Sequence, residues 1–277
     1  MAHSETREFS VTTGGAVLCG ELSSFPPEDG PAAVFLHGTG GDRHTWDDIW
    51  DRLTPPRPAI RYDLRGFGAS TSAVDSQFDH AADLAELLDN LRANPVDVIG
   101  LSMGGAVALH FALDYPERVR KLVLISPAIA AWDWSDEWRA RWEEIAAFAR
   151  SGRMDLARKK WAAHPMFGHA MAGPAASRLL EEIERYSGRQ WIEDLQAPLL
   201  PDVDRLPFLE PQTLLLTGAE DLPDFRLMAG LIEGAAPNVT RIDVPSCGHM
   251  LPYEAPDTCR DAIGAFLSEP GRGESAA

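Results

Sequence analysis

Two hydrophobic patterns alternate along the chain and predict a succession of strands and helices. Short runs such as residues 32–36 are wholly apolar, as in strands that are buried on both faces of a sheet. Between such runs, apolar residues recur at helical spacing, as do Leu84, Leu88 and Leu91. A further helix is predicted to begin at its capping residue, Asp42. The other predicted helices cover residues 78–93, 103–114, 224–235 and 256–267. The predicted strands cover residues 7–11, 16–22, 32–36, 58–62, 96–101, 121–125, 212–217 and 239–244.

From the third strand onwards, strand and helix alternate until Ser126, and such alternation builds a parallel sheet with helices on both faces. The pattern then stops and resumes only at residue 212. The stretch between them holds six of the eight tryptophans, and it predicts helices over about residues 135–150, 153–163 and 175–187. We therefore expect an α/β protein with a mostly parallel, eight-stranded sheet and a helical cap inserted after the sixth strand. The expected limits are residues 1–126 and 212–268 for the two parts of the core, 127–211 for the cap, and 269–277 for a disordered tail.

The acidic composition bears on partners more than on fold. The chain has 42 acidic and 25 basic residues, a net charge of −17. A surface of this charge repels phosphate backbones and anionic lipid, so we expect neither nucleic acid nor a membrane as partner. No apolar run approaches the length of a membrane span, and the N-terminus lacks an apolar signal core, which predicts a cytoplasmic protein. Three cysteines without a Cys-x-x-Cys pair indicate neither a disulfide framework nor a zinc site.

The fifth strand and the following helix are joined by Gly100-Leu-Ser-Met-Gly104, which fits the pattern Gly-x-Ser-x-Gly. A serine on so tight a turn requires very small residues two positions before and after it. The turn lifts the hydroxyl of Ser102 out of the sheet and directs the backbone N–H of Met103 toward a developing oxyanion. The pentapeptide alone is only suggestive, but its position between a strand and a helix favours Ser102 as a nucleophile.

A serine nucleophile needs a base, and the base needs an acid that orients it. In a parallel sheet, these groups are expected in loops at the carboxyl ends of the strands. His249 lies in the loop after the eighth strand, and the order serine, acid, histidine is typical of this type of turn. In the loop after the seventh strand, Asp221 is the preferred acid. Glu220 and Asp224 remain open alternatives, and Asp224 also fits the role of a helix cap.

The loop after the third strand, His37-Gly-Thr-Gly-Gly41, is rich in glycine, so bare backbone amides can approach the serine. We expect the N–H of Thr39 to be the second oxyanion donor, with that of Gly40 as the alternative. His37 is expected to support the loop. No phosphate-binding loop, dinucleotide fingerprint or metal-ligand spacing occurs in the sequence, so no cofactor and no metal are expected.

Together these motifs resemble those of the α/β-hydrolases, in the same order along the chain. The resemblance spans about residues 7–268 and rests on His37-Gly38, Tyr62-Asp-Leu-Arg-Gly-Phe-Gly68, the Gly-x-Ser-x-Gly turn, Gly218-x-x-Asp221 and Gly248-His249. It implies Ser102 as nucleophile, Asp221 as acid, His249 as base, the amides of Met103 and Thr39 as the oxyanion hole, and residues 127–211 as a helical cap. Within that superfamily, the loops are similar to those of enol-lactonases and small-molecule esterases.

The tryptophans of the expected cap indicate the character of the substrate. Some should pack the cap itself, while Trp132 and Trp134 are expected to line an apolar pocket above Ser102, together with Gly38 and Met250. We therefore expect an enzyme that cleaves a small apolar or aromatic ester or lactone through an acyl-enzyme. This small molecule is the expected partner, and the sequence leaves the oligomeric state open.

Two other functions stay open for this fold. The first is hydrolysis of a carbon–carbon bond in ring-fission products. Hydrolases of that kind usually carry a tryptophan soon after the catalytic histidine, where this chain has Met250-Leu-Pro-Tyr253. The second is a ligand-sensing protein that keeps the three side chains but turns over slowly.

Overall fold

The predicted strands form one eight-stranded sheet in the computed structural model, which describes residues 6–23, 30–53, 56–72, 77–197 and 199–271. Their bounds are Thr6–Thr13 (β1), Ala16–Ser23 (β2), Ala33–Leu36 (β3), Ala59–Tyr62 (β4), Val96–Leu101 (β5), Val119–Ile125 (β6), Gln212–Gly218 (β7) and Val239–Val244 (β8). The expected α/β class and the eight-stranded sheet are confirmed. Of the predicted tail, residues 272–277 lie outside the described residues, whereas the carbonyl oxygen of Glu269 accepts a hydrogen bond from the Lys121 ammonium at 2.7 Å.

The order of the strands across the sheet creates a crevice at the carboxyl ends of β3 and β5. The order is β1-β2-β4-β3-β5-β6-β7-β8, and β2 pairs antiparallel with both β1 and β4. All other neighbouring strands are parallel. Because the order reverses between β3 and β5, the loops that follow these two strands leave in opposite directions and open a crevice at their carboxyl ends.

The helices flank this sheet on both faces. Their bounds are His80–Leu91 (α1), Met103–Asp114 (α2), Asp136–Arg150 (α3), Met154–Ala162 (α4), Gly168–Ala172 (α5), Ala176–Arg185 (α6), Arg189–Ile192 (α7), Pro223–Ala235 (α8), Leu251–Glu254 (α9) and Pro256–Ser268 (α10). Helix α1 packs against α2, and α2 packs against β3, β5 and β6, while α10 packs against α9 and β7. Within the described ranges, no helix is long and apolar enough to cross a membrane.

The helix predicted at Asp42 is instead a short 3-10 helix, Arg43–Trp46, followed by turns. Asp42 caps it as expected, because its carboxylate accepts a hydrogen bond from the N–H of His44 at 2.8 Å. The N–H of Arg43, one of the first amides, which have no acceptor within a helix, donates to the carboxylate of Asp63 at 2.7 Å. The crossover from β3 to β4 runs opposite to those from β4 to β5 and from β5 to β6. It therefore puts this short helix on the face opposite α1 and α2, where α9 packs against it.

Helices α3 to α7 lie between β6 and β7, which is the expected point of insertion. We call residues 127–211 the insert. The three helices predicted there correspond to α3, α4 and α6, whereas α5 and α7 are too short to give a periodic pattern in the sequence. Trp161 and Trp191 are buried, and their rings meet edge to face at 5.9 Å, so they form part of an aromatic core within the insert.

Replacement of Asp97 by asparagine is expected to destabilise the sheet. Asp97 lies in β5 with no exposed surface, and its carboxylate accepts hydrogen bonds from Arg120 at 2.6 Å and from Arg57 at 3.2 Å. Asp97→Asn removes the charge that both guanidinium groups face, which is expected to lower the free energy of unfolding by about 3–5 kcal/mol. Urea unfolding measures the loss.

Asp133→Asn is the matched control, because Asp133 pairs with Arg139 but is 95% exposed. Its effect is expected to stay within about 0.5 kcal/mol. Equal losses in the two variants would contradict the importance of the buried ion pairs.

Candidate active site

Ser102 occupies a sharp turn between β5 and α2, with φ 55° and ψ −116°. The glycines on either side leave no room for side chains. A Cβ on Gly100 would lie 2.2 Å from the carbonyl oxygen of Gly104, and a Cβ on Gly104 would lie 2.3 Å from that of Leu36. The N–H of Ser102 donates to the carbonyl oxygen of Ile125 at 3.0 Å, which holds the strained turn against β6. The hydroxyl is thus fixed at the carboxyl edge of the sheet.

His249 and Asp221 form a buried pair, in loops that follow β8 and β7. Nδ1 of His249 lies 3.0 and 3.1 Å from the two carboxylate oxygens of Asp221. The N–H of Leu222 also donates to this carboxylate, at 2.7 Å. Because an ionised carboxylate only accepts, the histidine proton resides on Nδ1. Nε2 of His249 is then the acceptor, and among the described residues this buried atom has no hydrogen-bond partner.

The two alternative acids make other contacts. Glu220 lies near the surface, with its carboxylate 3.3 Å from Nε2 of His169. Asp224 lies in the first turn of α8 and accepts hydrogen bonds from the N–H and the hydroxyl of Ser135, the latter at 2.6 Å. The structure therefore brings Asp221 to His249, whereas Glu220 and Asp224 bind partners in the insert.

A further carboxylate, which the sequence analysis did not single out, holds the loop of His249. Glu254, in α9, accepts hydrogen bonds from the backbone N–H of Gly248 at 2.5 Å and of Met250 at 3.0 Å. These two amides flank the histidine on either side. Burial raises the pKa of Glu254 above its usual value. Its two contacts fix the backbone from which the imidazole projects.

A cleft of about 560 Å³ opens beside Ser102, between the core and the insert. Its aromatic walls consist of Trp134, Trp138, Trp142, Trp161 and Phe225. Trp134 thus lines the cleft as expected, but Trp132 does not. The chain turns at Ala131, which has φ 57°, and Trp132 packs against other buried hydrophobic side chains, outside the lining of the cleft. Trp138 and Trp142 were not predicted, although their i, i+4 spacing on α3 puts them on one face and was visible in the sequence.

A second, narrow cavity of about 10 Å³ also borders Ser102, and its volume is close to the minimum that holds one water molecule. Gly38, Thr39 and Met250 line it, as expected for residues beside the serine, and so does Gly40. Thr39 borders both the cleft and this cavity. Thr39 and Met103, whose backbone amides are the expected oxyanion donors, both line the cleft together with Ser102.

His37 supports the glycine-rich loop through both ring nitrogens. Its Nε2 accepts a hydrogen bond from the N–H of Leu64 at 3.0 Å, so its proton resides on Nδ1, which donates to the carbonyl oxygen of Gly38 at 2.9 Å. Complete burial lowers the pKa of His37 and keeps the ring neutral. The loop is thereby tied to the residues that follow β4.

The cleft is aromatic and offers no unpaired cation among its described lining residues. Its single basic residue, Arg139, donates to Asp133 at 2.6 Å and to Asp136 at 2.8 Å. The rings of Trp134 and Trp138 are stacked at 4.3 Å, and the ring of Phe225 lies 5.5 Å from each of them. Such walls favour flat or apolar groups over an anionic group.

Glu182, in α6, reaches from the insert into the glycine-rich loop. One of its oxygens, Oε1, accepts hydrogen bonds from the hydroxyl of Thr45 at 2.6 Å and from the N–H of Asp42 at 3.1 Å. The other, Oε2, is hydrogen-bonded to the hydroxyl of Tyr253. Burial, with a further contribution from the charge of Asp42, raises the pKa of Glu182 from 4.5 to about 8.

Two arginines on the same face of α6 add to this contact. Arg178 donates to the carboxylate of Asp48 at 2.5 Å, and Arg185 donates to that of Asp42 at 3.2 Å. The three positions 178, 182 and 185 follow the i, i+4, i+7 spacing of one helix face. In the part of the chain that the structure describes, no group of three or more His, Cys, Asp or Glu side chains is arranged to hold a metal ion.

The chain matches a protein family over most of its length. Residues 33–262 match the model of the alpha/beta hydrolase family. A putative 2-succinyl-6-hydroxy-2,4-cyclohexadiene-1-carboxylate synthase from Bacillus subtilis (strain 168) is 29% identical over 87% of this chain and 92% of its own length. The 2-hydroxymuconate semialdehyde hydrolase of Pseudomonas sp. (strain CF600) is 27% identical, over 85% of this chain and 86% of its own.

Solved structures of similar fold include two enzymes. The enol-lactonase from Burkholderia xenovorans LB400 superposes with a TM-score of 0.80 at 20% identity, over 94% of this chain and 100% of that one, and at this identity the likeness concerns the fold alone. A thermophilic esterase from Thermogutta terrifontis superposes with a TM-score of 0.72 at 25% identity, over 94% of this chain and 98% of that one.

Glu182→Gln is expected to flatten the pH dependence of stability. The folded chain keeps the Glu182 proton up to about pH 8, whereas the unfolded chain releases it near pH 4.5. The unfolded state therefore binds fewer protons between these values, so the free energy of unfolding of the wild type falls as the pH rises through this range. The loss is on the order of 4 kcal/mol and should be absent in the variant.

Urea unfolding at several pH values between about 5 and 8 measures this difference. Glu181→Gln is the control, because Glu181 is an exposed acid on the same helix. Parallel pH profiles for Glu182→Gln and the wild type would show that Glu182 is ionised in the folded chain.

Proposed function

The chain belongs to the alpha/beta hydrolase family, and on that premise we propose that it is a serine hydrolase that cleaves a small apolar or aromatic ester or lactone. The observation that carries the proposal is the hydrogen bond from His249 to Asp221, in loops that follow β8 and β7 at the same edge of the sheet as the strained turn of Ser102. This bond leaves Nε2 of His249 buried and able to accept a proton. A weakly nucleophilic hydroxyl needs such a base at neutral pH.

The reaction proceeds in two steps. Nε2 of His249 takes the proton of Ser102 as Oγ attacks the substrate carbonyl, and Asp221 orients the ring and stabilises the imidazolium. The backbone N–H groups of Met103 and Thr39 hold the oxyanion. His249 then gives the proton to the leaving alcohol, and an acyl-enzyme remains. In the second step, His249 activates a water molecule that hydrolyses the acyl group.

The insert acts in this proposal as the cap that selects the substrate. Trp138 and Trp142 project from α3 into the cleft, which adjoins Ser102. Because Arg139 is paired with two aspartates, a carboxylate on the substrate would lose its hydration without gaining an ionic partner. We therefore expect esters with uncharged, aromatic or apolar groups to be preferred to esters that carry a carboxylate.

Hydrolysis of a carbon–carbon bond is the second candidate function. The observation that favours it is the 27% identity to 2-hydroxymuconate semialdehyde hydrolase over most of both chains. The same serine, histidine and aspartate would serve that reaction. Turnover of yellow ring-fission products without turnover of simple esters distinguishes it from the preferred function.

Ser102→Ala is expected to abolish turnover while the fold stays intact. The alanine keeps the Cβ and the backbone of the turn but removes the attacking oxygen, so kcat should fall by roughly 10³-fold or more. The melting temperature should stay close to that of the wild type. The assay is hydrolysis of p-nitrophenyl esters from acetate to octanoate, together with several lactones, and the optimum chain length measures the depth of the cleft.

Either of two results decides against ester hydrolysis through Ser102. Turnover by Ser102→Ala near the wild-type rate would exclude Ser102 as nucleophile. Labelling of Ser102 by a fluorophosphonate without turnover of any ester or lactone would favour the carbon–carbon hydrolase.

Asp221→Asn should lower kcat by about 10³–10⁴-fold, because the amide no longer holds His249 in the required tautomer. Glu220→Gln and Asp224→Asn are matched controls, since these acids bind His169 and Ser135 instead. They are expected to change kcat by less than about threefold. A larger loss in either control than in Asp221→Asn would assign the acid to that residue.

A further inference from the structure

Glu182 combines a position at the candidate active site with contacts across the boundary between insert and core. It lines the narrow cavity that also contains Ser102 and Thr39. The groups that donate to its Oε1, the hydroxyl of Thr45 and the N–H of Asp42, both belong to the core, as does Tyr253. The N–H of Asp42 is only three residues from that of Thr39. The carboxyl of Glu182 thus holds the segment that follows Thr39, whose amide is the proposed second oxyanion donor.

The contacts indicate where Glu182 carries a proton. Its Oε1 already accepts from two donors, so the proton of the neutral acid resides on Oε2 and is donated to the hydroxyl of Tyr253, whereas the carboxylate would accept from that hydroxyl. None of the described cations forms an ion pair with Glu182, because Arg178 and Arg185 pair with Asp48 and Asp42. A buried carboxyl without a cation is more stable in its neutral form.

We propose that Glu182 is a positioning residue for the oxyanion hole and that it acts in its protonated form. As a neutral acid it fixes the glycine-rich loop and adds no charge to the site. As a carboxylate it would set a negative charge into the same cavity in which the substrate oxyanion develops. This inference rests on the proposed function, because it assumes an oxyanion at Ser102.

The charge matters because the cavity is small, with room for at most about one water molecule. Two negative charges in such a place repel each other more strongly than they would in solvent. The pKa of Glu182, raised to about 8, means that the proton is present at neutral pH and is lost as the pH rises above 8. Turnover should therefore decline on the alkaline side.

Other titratable and charged groups surround Glu182. Helix α6 contributes Arg178 and Arg185, and the loop and turns after β3 contribute Asp42, Arg43, His44 and Asp48. The loop after β4 contributes Asp63, and α9 contributes Tyr253. Arg43 is paired with Glu21 and Asp63. A hydrogen bond to Asp47 raises the pKa of His44. The His44 ring is exposed, however, so its titration does not change the charge of the narrow cavity. Glu182 is the group among them that borders Ser102.

The test is the pH profile of kcat/KM for an ester that the wild type hydrolyses, since this ratio reports ionisations of the free enzyme. The kcat/KM of the wild type should fall by about tenfold per pH unit well above pH 8.

Glu182→Gln keeps the acceptor oxygen for Thr45 and Asp42 and an N–H for Tyr253. It should therefore keep at least about half of the wild-type activity at pH 7 and show no alkaline decline. Glu182→Ala should lose about tenfold or more in kcat at every pH, with a smaller change in KM. Glu181→Gln, on the exposed side of α6, should match the wild type throughout.

An alkaline decline in Glu182→Gln equal to that of the wild type would overturn the inference, and so would an equal loss in the glutamine and alanine variants at pH 7. In both cases hydrolysis that depends on Ser102 would continue in the wild type, so the proposed function would stand. Absence of any Ser102-dependent hydrolysis in the wild type would overturn the proposed function and this inference together.

Discussion

The sharp turn at Ser102 is the constraint on which the rest of the site depends. Because no side chain fits at Gly104, the amino end of α2 packs directly on the backbone of β3, and the carbonyl oxygen of Leu36 lies where a Cβ would be. This contact keeps the end of β3 beside the end of β5. The glycine-rich loop that carries Thr39 starts from that point, so one steric requirement of a five-residue motif sets the spacing between the serine and the loop that faces it.

Much of the core could be predicted because its signals are local. The strand, the turn and the helix around Ser102 are encoded in consecutive residues, and the predicted ranges 96–101 and 103–114 equal the bounds of β5 and α2. The 3-10 helix at Arg43 marks the limit of such reasoning. Its first amide bonds to Asp63, twenty residues further along the chain, and a hydrophobic pattern carries no information about that partner.

The site residues that sequence reasoning missed fall into two kinds. Glu182 is buried through contacts with distant parts of the chain, whereas Glu254 is half-buried and binds amides only four and six residues before it. No spacing in the sequence distinguishes either carboxylate from exposed acids. Trp138 and Trp142, by contrast, could have been predicted, because their helical spacing puts them on one face of α3. Trp132 was expected to line the pocket because it lies close in sequence to the end of β6. The left-handed backbone at Ala131 turns the chain just before this residue.

The insert meets the site through two separate sets of contacts. Helix α3 contributes indole rings to the cleft, and α6 contributes Arg178, Glu182 and Arg185, which bond to the core beyond β3. The two sets share no residue, and substitutions without common partners have nearly independent effects. The rings of α3 can therefore be substituted without breaking any of the bonds between α6 and the core. One insertion thus keeps the lining of the cleft on one helix and the attachment of the insert to the core on another.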